Sequence, residues 1–280
     1  MTVGWRSLAL AGAAAGLLAL AGAFGFVIPR AEAALEARYP LATAHLDTAA
    51  PRAEGERLSY VLGCRACHGS ALTGGQMTLS SSTLVAPNLT RLGKRSDAEL
   101  DAAIRQGLRP DGRSELAMPS QAYTGLTDAQ ASALVAYVRG LQPQGRVLPQ
   151  PPYGFFLQMN LAMGALKTQA VRVKEAKAPL DSSLQTQPGR RLAAIACGQC
   201  HGTDLRGGEG YPGPDLTIRG YYTRPQFHAV MRTGEGLPRD MKLMAEVATS
   251  SLSRLTDAEI DALYDYLMAR DERLASRKPD

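Results

Sequence analysis

The chain has 280 residues, of which 45% are apolar, 20% charged and 6% aromatic. This length and apolar content fit two domains of ordinary size and exclude a disordered polymer. Lys and Arg total 31 against 26 Asp and Glu, and the formal net charge of +5 is not gathered in a long basic block. Nucleic acid is therefore not an expected partner. Four cysteines are also too few for a small disulfide-stapled scaffold.

An uncharged apolar run, Leu8–Ile28, lies between Arg6 and Arg30 near the N-terminus. Its 21 residues would form a helix of about 32 Å, which is long enough to cross a bilayer core. A cleaved signal peptide is the alternative, since Ala31–Ala33 has the small-x-small form of a cleavage site. We predict a single-pass anchor within residues 1–30. Because Arg6 favours a cytoplasmic N-terminus, the rest of the chain is expected on the outer, periplasmic side of a bacterial cytoplasmic membrane.

The rest of the chain contains one pattern twice. Cys64–Gly75 and Cys197–Gly208 are identical at seven of twelve positions, and Pro87 and Pro214 follow at matching places. Helix-capping residues followed by apolar residues at three- and four-residue steps predict two further helices in each half. These helices are Ser96–Gly107 and Ala129–Leu141 in the first half, and Thr223–Gly234 and Ala258–Ala269 in the second. No stretch alternates with period two for long enough to predict a strand, so we expect an all-α fold.

The composition divides the chain into an anchor, two similar domains and their connections. The predicted divisions are 1–30 (anchor), 31–51 (linker), 52–142 (first domain), 143–186 (interdomain linker), 187–272 (second domain) and 273–280 (tail). Within the interdomain linker, Tyr153–Leu166 is apolar but too short to cross a bilayer as a helix. We expect this segment to pack across the domain interface; docking on a partner subunit or on the bilayer is the alternative.

All four cysteines fall in two Cys-x-x-Cys-His units. Two thiols at this spacing can form thioethers with the vinyl groups of a haem, and the adjacent histidine can bind the iron, as in c-type haem attachment. The alternatives are structural disulfides, a dithiol redox pair and a zinc site. A redox pair does not require the histidine in each unit, and a zinc site would need the two pairs to converge across the 129 residues between Cys67 and Cys197. The sequence therefore predicts two haem c groups, with attachment at Cys64, Cys67, Cys197 and Cys200 and proximal ligands His68 and His201.

With these motifs, each half resembles a class I cytochrome c domain. The whole chain resembles the membrane-anchored dihaem cytochromes c of bacterial respiratory chains. The resemblance covers about Arg52–Gln142 and Gln187–Arg270. It implies three main helices around each haem, an axial methionine from the loop before the last helix, and a proline carbonyl that accepts a hydrogen bond from the proximal histidine. Pro87 and Pro214 match that proline by position.

The resemblance also implies a methionine as the sixth iron ligand in each half. Met118, which lies just before the last helix of the first half, is the expected ligand there, and Met77 is its rival. Met244 is the expected ligand in the second half, and Met241 is the alternative. The remaining histidines, His45 and His228, are expected to have solvated or packing roles.

Iron held by histidine and methionine has no open position for a substrate, so the sequence predicts an electron-transfer protein and no catalytic residues. Such a protein would pass single electrons between membrane redox complexes, for example from a quinol-oxidising complex or dehydrogenase to a terminal oxidase or reductase. One alternative is a dihaem enzyme such as a peroxidase, which would need a five-coordinate haem. The other is a fixed electron-transfer subunit of a larger respiratory complex. The expected partners are the membrane and redox proteins, without a small-molecule substrate.

Overall fold

The fold is given by a computed structural model that describes residues 22, 24–42, 46–47, 49–176, 188–202, 204–207, 213–218 and 220–276. Most of the apolar run Leu8–Ile28 lies outside these residues, as does His45. Within the described part of the chain, none of the helices combines the length and the apolar character that a membrane crossing requires. The N-terminal anchor therefore stays a prediction.

The first half consists of short helices and one β-hairpin. In chain order these are helix α1 at 24–36, α2 (Arg52–Val61), α3 (Cys64–His68), strands β1 (Gly75–Leu79) and β2 (Ser82–Ala86), a 3₁₀ turn (Leu89–Arg91), α4 (Asp97–Asp101) with a π-helical continuation (Ala102–Gln106), α5 (Ser120–Tyr123) and α6 (Asp128–Arg139). The two strands are antiparallel, with Gly75 opposite Ala86. The fold is mostly helical, as predicted, but this hairpin corrects the expectation that the chain forms no strand. Each strand has only five residues, and Ser82 is among the buried side chains of β2, so the apolar alternation is too short and too mixed to recognise.

The second half repeats the helical plan after two linker helices. The linker contains α7 (Phe155–Ala162) and α8 (Gln169–Glu175); the second half contains α9 (Pro188–Leu192) with a π-helical continuation (Ala193–Cys197), α10 (Gly198–His201), α11 (Arg224–Thr233), α12 (Lys242–Ser250), a 3₁₀ turn (Leu252–Arg254) and α13 (Asp257–Ser276). The predicted helix starts are confirmed, because Ser96, Thr127 and Thr223 each form a capping box at the start of α4, α6 and α11.

In each half, the helix before the cysteines crosses the last helix at a glycine. A Cβ on Gly55 would lie 1.9 Å from the carbonyl oxygen of Ala133 and 2.7 Å from the Cβ of Tyr137. A Cβ on Gly189 would lie 1.8 Å from the carbonyl oxygen of Ala262, and the Cβ of Tyr266 is again next to it. A side chain at either glycine would therefore force the two helices apart, which makes the crossing a shared feature of both halves.

The two halves are joined by a continuous apolar core. Leu58, Val61 and Leu62 from α2 belong to the same cluster as Ile195, Leu252 and Leu263 of the second half. Helix α2 contacts the turn Leu252–Arg254, while α5 of the first half contacts the Ala193–Cys197 segment. Each of these contacts joins the helix before the cysteines of one half to the segment before the last helix of the other half. Such reciprocal contacts relate the two halves approximately by a two-fold axis.

An ion pair crosses the same interface. Arg57 on α2 donates from its two terminal nitrogens to both carboxylate oxygens of Glu259 on α13, at 2.8 and 2.9 Å. Burial raises the pKa of Glu259, but hydrogen bonds from Arg57 and from the Thr256 amide outweigh burial, so this pKa lies below its ordinary value of 4.5. The carboxylate is therefore ionised at neutral pH and holds α2 against α13.

The apolar linker segment lies within the first half. Leu157 and Leu161 of α7 are buried against Leu84 of the hairpin and Leu116 of the loop before α5. The prediction that Tyr153–Leu166 packs across the domain interface is therefore wrong. The segment packs inside the first half because the hairpin offers it an apolar face there, and the sequence patterns did not reveal this hairpin.

Candidate functional site

The two cysteine pairs each lie on one turn of helix that ends at a histidine. Helix α3 ends at His68 because the next residue, Gly69, has a φ of +79°, which is not helical. Helix α10 ends at His201 in the same way, since Gly202 has a φ of +81°. These positive φ values favour glycine over any residue with a Cβ. The glycine after each Cys-x-x-Cys-His unit therefore ends the helix directly behind the imidazole.

Each of these histidines makes the hydrogen bond that the sequence analysis predicted. Nδ1 of His68 lies 2.8 Å from the carbonyl oxygen of Pro87, and Nδ1 of His201 lies 2.8 Å from that of Pro214. A carbonyl can only accept, so Nδ1 donates in both cases and Nε2 is left to bind a metal. Burial lowers the pKa of His68, although the Pro87 bond acts in the opposite direction, so its imidazole is neutral as a ligand must be.

A cavity of 740 Å³ lies in front of the first Cys-x-x-Cys-His unit. Cys64, Cys67 and His68 line it together with Met118 and Met77. Further apolar lining comes from Leu72, Leu84, Leu100, Leu134 and Val138. The cavity is thus large and apolar, and it brings two cysteines, an imidazole and a thioether together, which is the set of groups that a covalently held haem requires.

The cysteines do not have the properties of a dithiol redox centre. Burial raises the pKa of Cys64 to about 11 and that of Cys197 to about 12, and it also raises those of Cys67 and Cys200. Reactive redox pairs have lowered thiol pKa values instead. Among the described residues, no group of three or more His, Cys, Asp or Glu side chains is arranged to hold a metal ion.

The second half places its candidate methionines differently. Met244 lies in the first turn of α12 and packs against the apolar core, whereas Met241 lies just before this helix and is 39% exposed. Met118 of the first half lies in the loop before α5. The two loops therefore differ locally, and Met244 is the candidate that packs against the apolar core, while Met241 is exposed.

His228, which the sequence analysis expected to be solvated or structural, lies on α11. Its Nε2 is 3.0 Å from Asp261 on α13, and its Nδ1 is 3.7 Å from Asp257. These contacts are at the partly exposed surface of the second half, so His228 links α11 to α13.

One junction between the two sites was not foreseen from the sequence. The buried hydroxyl of Tyr123 donates to the carbonyl oxygen of Leu62 at 2.7 Å, and the side-chain amide of Gln199 lies 3.5 Å from the same oxygen. Leu62 is two residues before Cys64, and Gln199 directly precedes Cys200. The attachment segments of the two halves therefore meet at Leu62. In the repeat, Leu252 takes the place of Tyr123, and the surrounding residues 120–125 and 249–254 have no identical position, so the repeat did not point to Tyr123.

Comparison with known proteins agrees with this geometry. Residues 52–142 match the family model described as cytochrome c, and residues 184–267 match the model described as cytochrome c oxidase, cbb3-type, subunit III. The chain thus contains two cytochrome c domains in tandem. It is therefore a dihaem cytochrome, with two c-type haems implied by its two domains. In each half, the two cysteines of the Cys-x-x-Cys-His unit would attach the haem covalently.

Three relatives have names that describe their roles. The dihaem cytochrome is 27% identical over 76% of its length to the fructose dehydrogenase cytochrome subunit of Gluconobacter japonicus. It is 31% identical over 39% of its length to the alcohol dehydrogenase (quinone) cytochrome c subunit of Komagataeibacter europaeus, and 27% identical over 52% to a dihaem cytochrome c-type protein of Cereibacter sphaeroides. These matches cover 51%, 25% and 55% of the relatives, so this chain spans about half or less of their lengths.

Proposed function

We propose that this dihaem cytochrome is the electron-transfer subunit of a membrane-bound dehydrogenase complex. It would take single electrons from the dehydrogenase and deliver them to the next carrier of a respiratory chain. The names of two relatives support a subunit over a freely diffusing carrier, since both are cytochrome subunits of dehydrogenases. We place the chain at the bacterial cytoplasmic membrane, held by the apolar run Leu8–Ile28, with both haem domains on the outer side.

The observation that carries an electron-transfer role is the placement of His68 and Met118 on one cavity. His68 is fixed by Pro87, and Met118 comes from a separate loop that lines the same space. We propose that these two residues bind the iron of the first haem, and that His201 and Met244 bind that of the second. When bound, each haem supplies a one-electron change of its iron. The protein's own contribution would be to bind the iron through these side chains and to keep water from the apolar cavity.

The arrangement of the two halves supports exchange of electrons within the chain. The segments that carry Cys64 and Cys200 meet at Leu62 without an intervening loop. A shared apolar core and the Arg57–Glu259 pair hold the halves in this position. The two sites would therefore keep a constant separation, as a relay requires.

A native gel of bacterial membranes solubilised in mild detergent tests the subunit role. We expect the haem-stained band of this chain to migrate with a band that reduces an artificial electron-acceptor dye in the presence of a dehydrogenase substrate. Deletion of the gene should remove the haem stain from that band while the chain expressed from a plasmid restores it. Migration of the dihaem cytochrome at its own mass, apart from all dehydrogenase bands, would support a free carrier instead.

A further inference from the structure

An exposed apolar surface lies on the first half, on side chains that do not line the cavity of the first site. Phe156 on α7 is 59% exposed and Met163, directly after α7, is 69% exposed. Phe24 and Phe26 on α1 are 49% and 44% exposed. We call Phe24, Phe26, Phe156 and Met163 the aromatic patch. The ring of Phe155 joins its two parts, at 4.8 Å from the ring of Phe24 and 6.2 Å from that of Phe156.

The patch is held rigidly by the buried sides of the same two helices. Ala31 of α1 is fully buried and lies in one cluster with Leu157 and Leu161 of α7. Leu35 of α1 packs against this cluster from its edge. Both helices therefore have one face fixed in the core of the first half. Phe156 and Met163 lie on the opposite face of α7 and Phe26 on the opposite face of α1, whereas Phe24 lies on the same side as Ala31, where its ring packs on Phe155.

The chain leads directly from the apolar run into this patch. Phe24 and Phe26 are the last aromatic residues of Leu8–Ile28, and helix α1 continues from them into the folded domain. No charged residue occurs between Ser7 and Pro29 or within Tyr153–Leu166. The first charge after the run is Arg30, whose guanidinium lies 3.8 Å from the ring centre of Phe26.

We infer that the aromatic patch rests in the interfacial layer of the lipid bilayer. This inference depends on the membrane anchor included in the proposed function. Aromatic rings flanked by arginine are typical of the layer where lipid headgroups meet acyl chains. Helix α7, with eight residues, is far too short to cross the bilayer but suits a helix lying along its surface. The patch stands at the point where the apolar run would leave the membrane, so the same bilayer is the nearest apolar phase that can cover it.

This contact would orient the dihaem cytochrome on the membrane. Tyr153, which begins the α7 segment, packs in the same cluster as Leu157 and also lines the cavity of the first haem site. The first site is therefore held on the membrane side of the molecule. Electron exchange with membrane-embedded partners would then be favoured at the first site.

Labelling from within the bilayer tests this contact on the full-length holoprotein. The protein is placed in nanodiscs of phosphatidylcholine and phosphatidylglycerol that contain a lipid with a diazirine on its acyl chain. After illumination, labelled peptides are measured by mass spectrometry. We expect at least tenfold more label on the Phe156–Met163 peptide than on the peptide of Leu243, which is 59% exposed on α12 of the second half and serves as the matched control.

The variant Phe156→Asp/Met163→Asp should reduce labelling of this peptide to the level of the control, while labelling of Leu8–Ile28 is unchanged. If the apolar run is labelled but the α7 peptide is not, the anchor is upheld and the inference is overturned. If neither is labelled, both the anchor and the inference fail. The haem spectrum of the variant must match that of the wild type, since both substituted side chains are exposed and lie outside the haem cavity.

Discussion

Replacing Gly55 by alanine tests the helix crossing on which each haem domain is built. The new Cβ would lie 1.9 Å from the carbonyl oxygen of Ala133, whereas 3.4 Å or more is ordinary contact. Helix α2 would have to move by roughly 1.5 Å, and overpacking of this kind costs about 3 kcal/mol. Because the two halves share a core, we expect the melting temperature of the whole chain to fall by about 6–12 °C.

The assay is thermal unfolding of the oxidised holoprotein followed by circular dichroism. Gly189→Ala should have a similar effect, since its Cβ would lie 1.8 Å from the carbonyl oxygen of Ala262. Gly25→Ala is the matched control, because no atom lies within 4 Å of the Cβ that it adds to α1. A Gly55→Ala protein that melts within about 2 °C of the wild type, at an unchanged haem content, would refute the tight crossing.

Three further predictions concern the interface and the iron ligands. Tyr123→Phe removes the donor to the Leu62 carbonyl and should lower the free energy of unfolding by about 1–2 kcal/mol in denaturant titrations. Met118→Ala and Met244→Ala should each remove about half of the weak far-red absorption band that oxidised haem shows when methionine binds iron; loss of the whole band in one variant would contradict two such sites. Glu259→Gln should cost about 1 kcal/mol near pH 7, and this difference should vanish as the pH falls below the depressed pKa of Glu259.

The sign of that pH dependence follows from the direction of the shift. The folded chain lowers the pKa of Glu259 below 4.5, so its carboxylate stabilises the fold above this pH and stops doing so once it is protonated. Denaturant titrations of wild type and variant at pH 7 and at successively lower pH measure the difference. A gap that widens in acid would show that the Arg57–Glu259 pair is not the source of the stability.

The parts of the site that depend on local chemistry were predictable from the sequence. Two thiols and a histidine within five residues define each attachment unit whatever surrounds them. The bonds from His68 to Pro87 and from His201 to Pro214, which the resemblance to cytochrome c domains implied, are also present in the structure. The capped helix starts were also predictable, because a cap involves residues only three positions apart.

Features that depend on distant contacts were missed or wrongly predicted. The β-hairpin is short and has a buried serine, so its strands carry no clear period-two signal. Without the hairpin, nothing in the sequence showed that Tyr153–Leu166 had an apolar partner inside the first half. The junction of Tyr123 with Leu62 joins residues 61 positions apart, and its contact with Gln199 crosses the two domains. Only the folded chain brings such groups together.

Our central proposal is that two protein side chains would bind the iron of each haem, so that no position would be open for a substrate and the chain would transfer electrons. Carbon monoxide tests it directly, because it binds reduced haem iron that has a vacant or easily displaced ligand. The reduced, full-length holoprotein is exposed to carbon monoxide, after a pyridine haemochrome assay has counted the haems. We predict two haems per chain and no change in the reduced spectrum. A carbon monoxide adduct at either haem would contradict the account and favour a catalytic role such as that of a peroxidase.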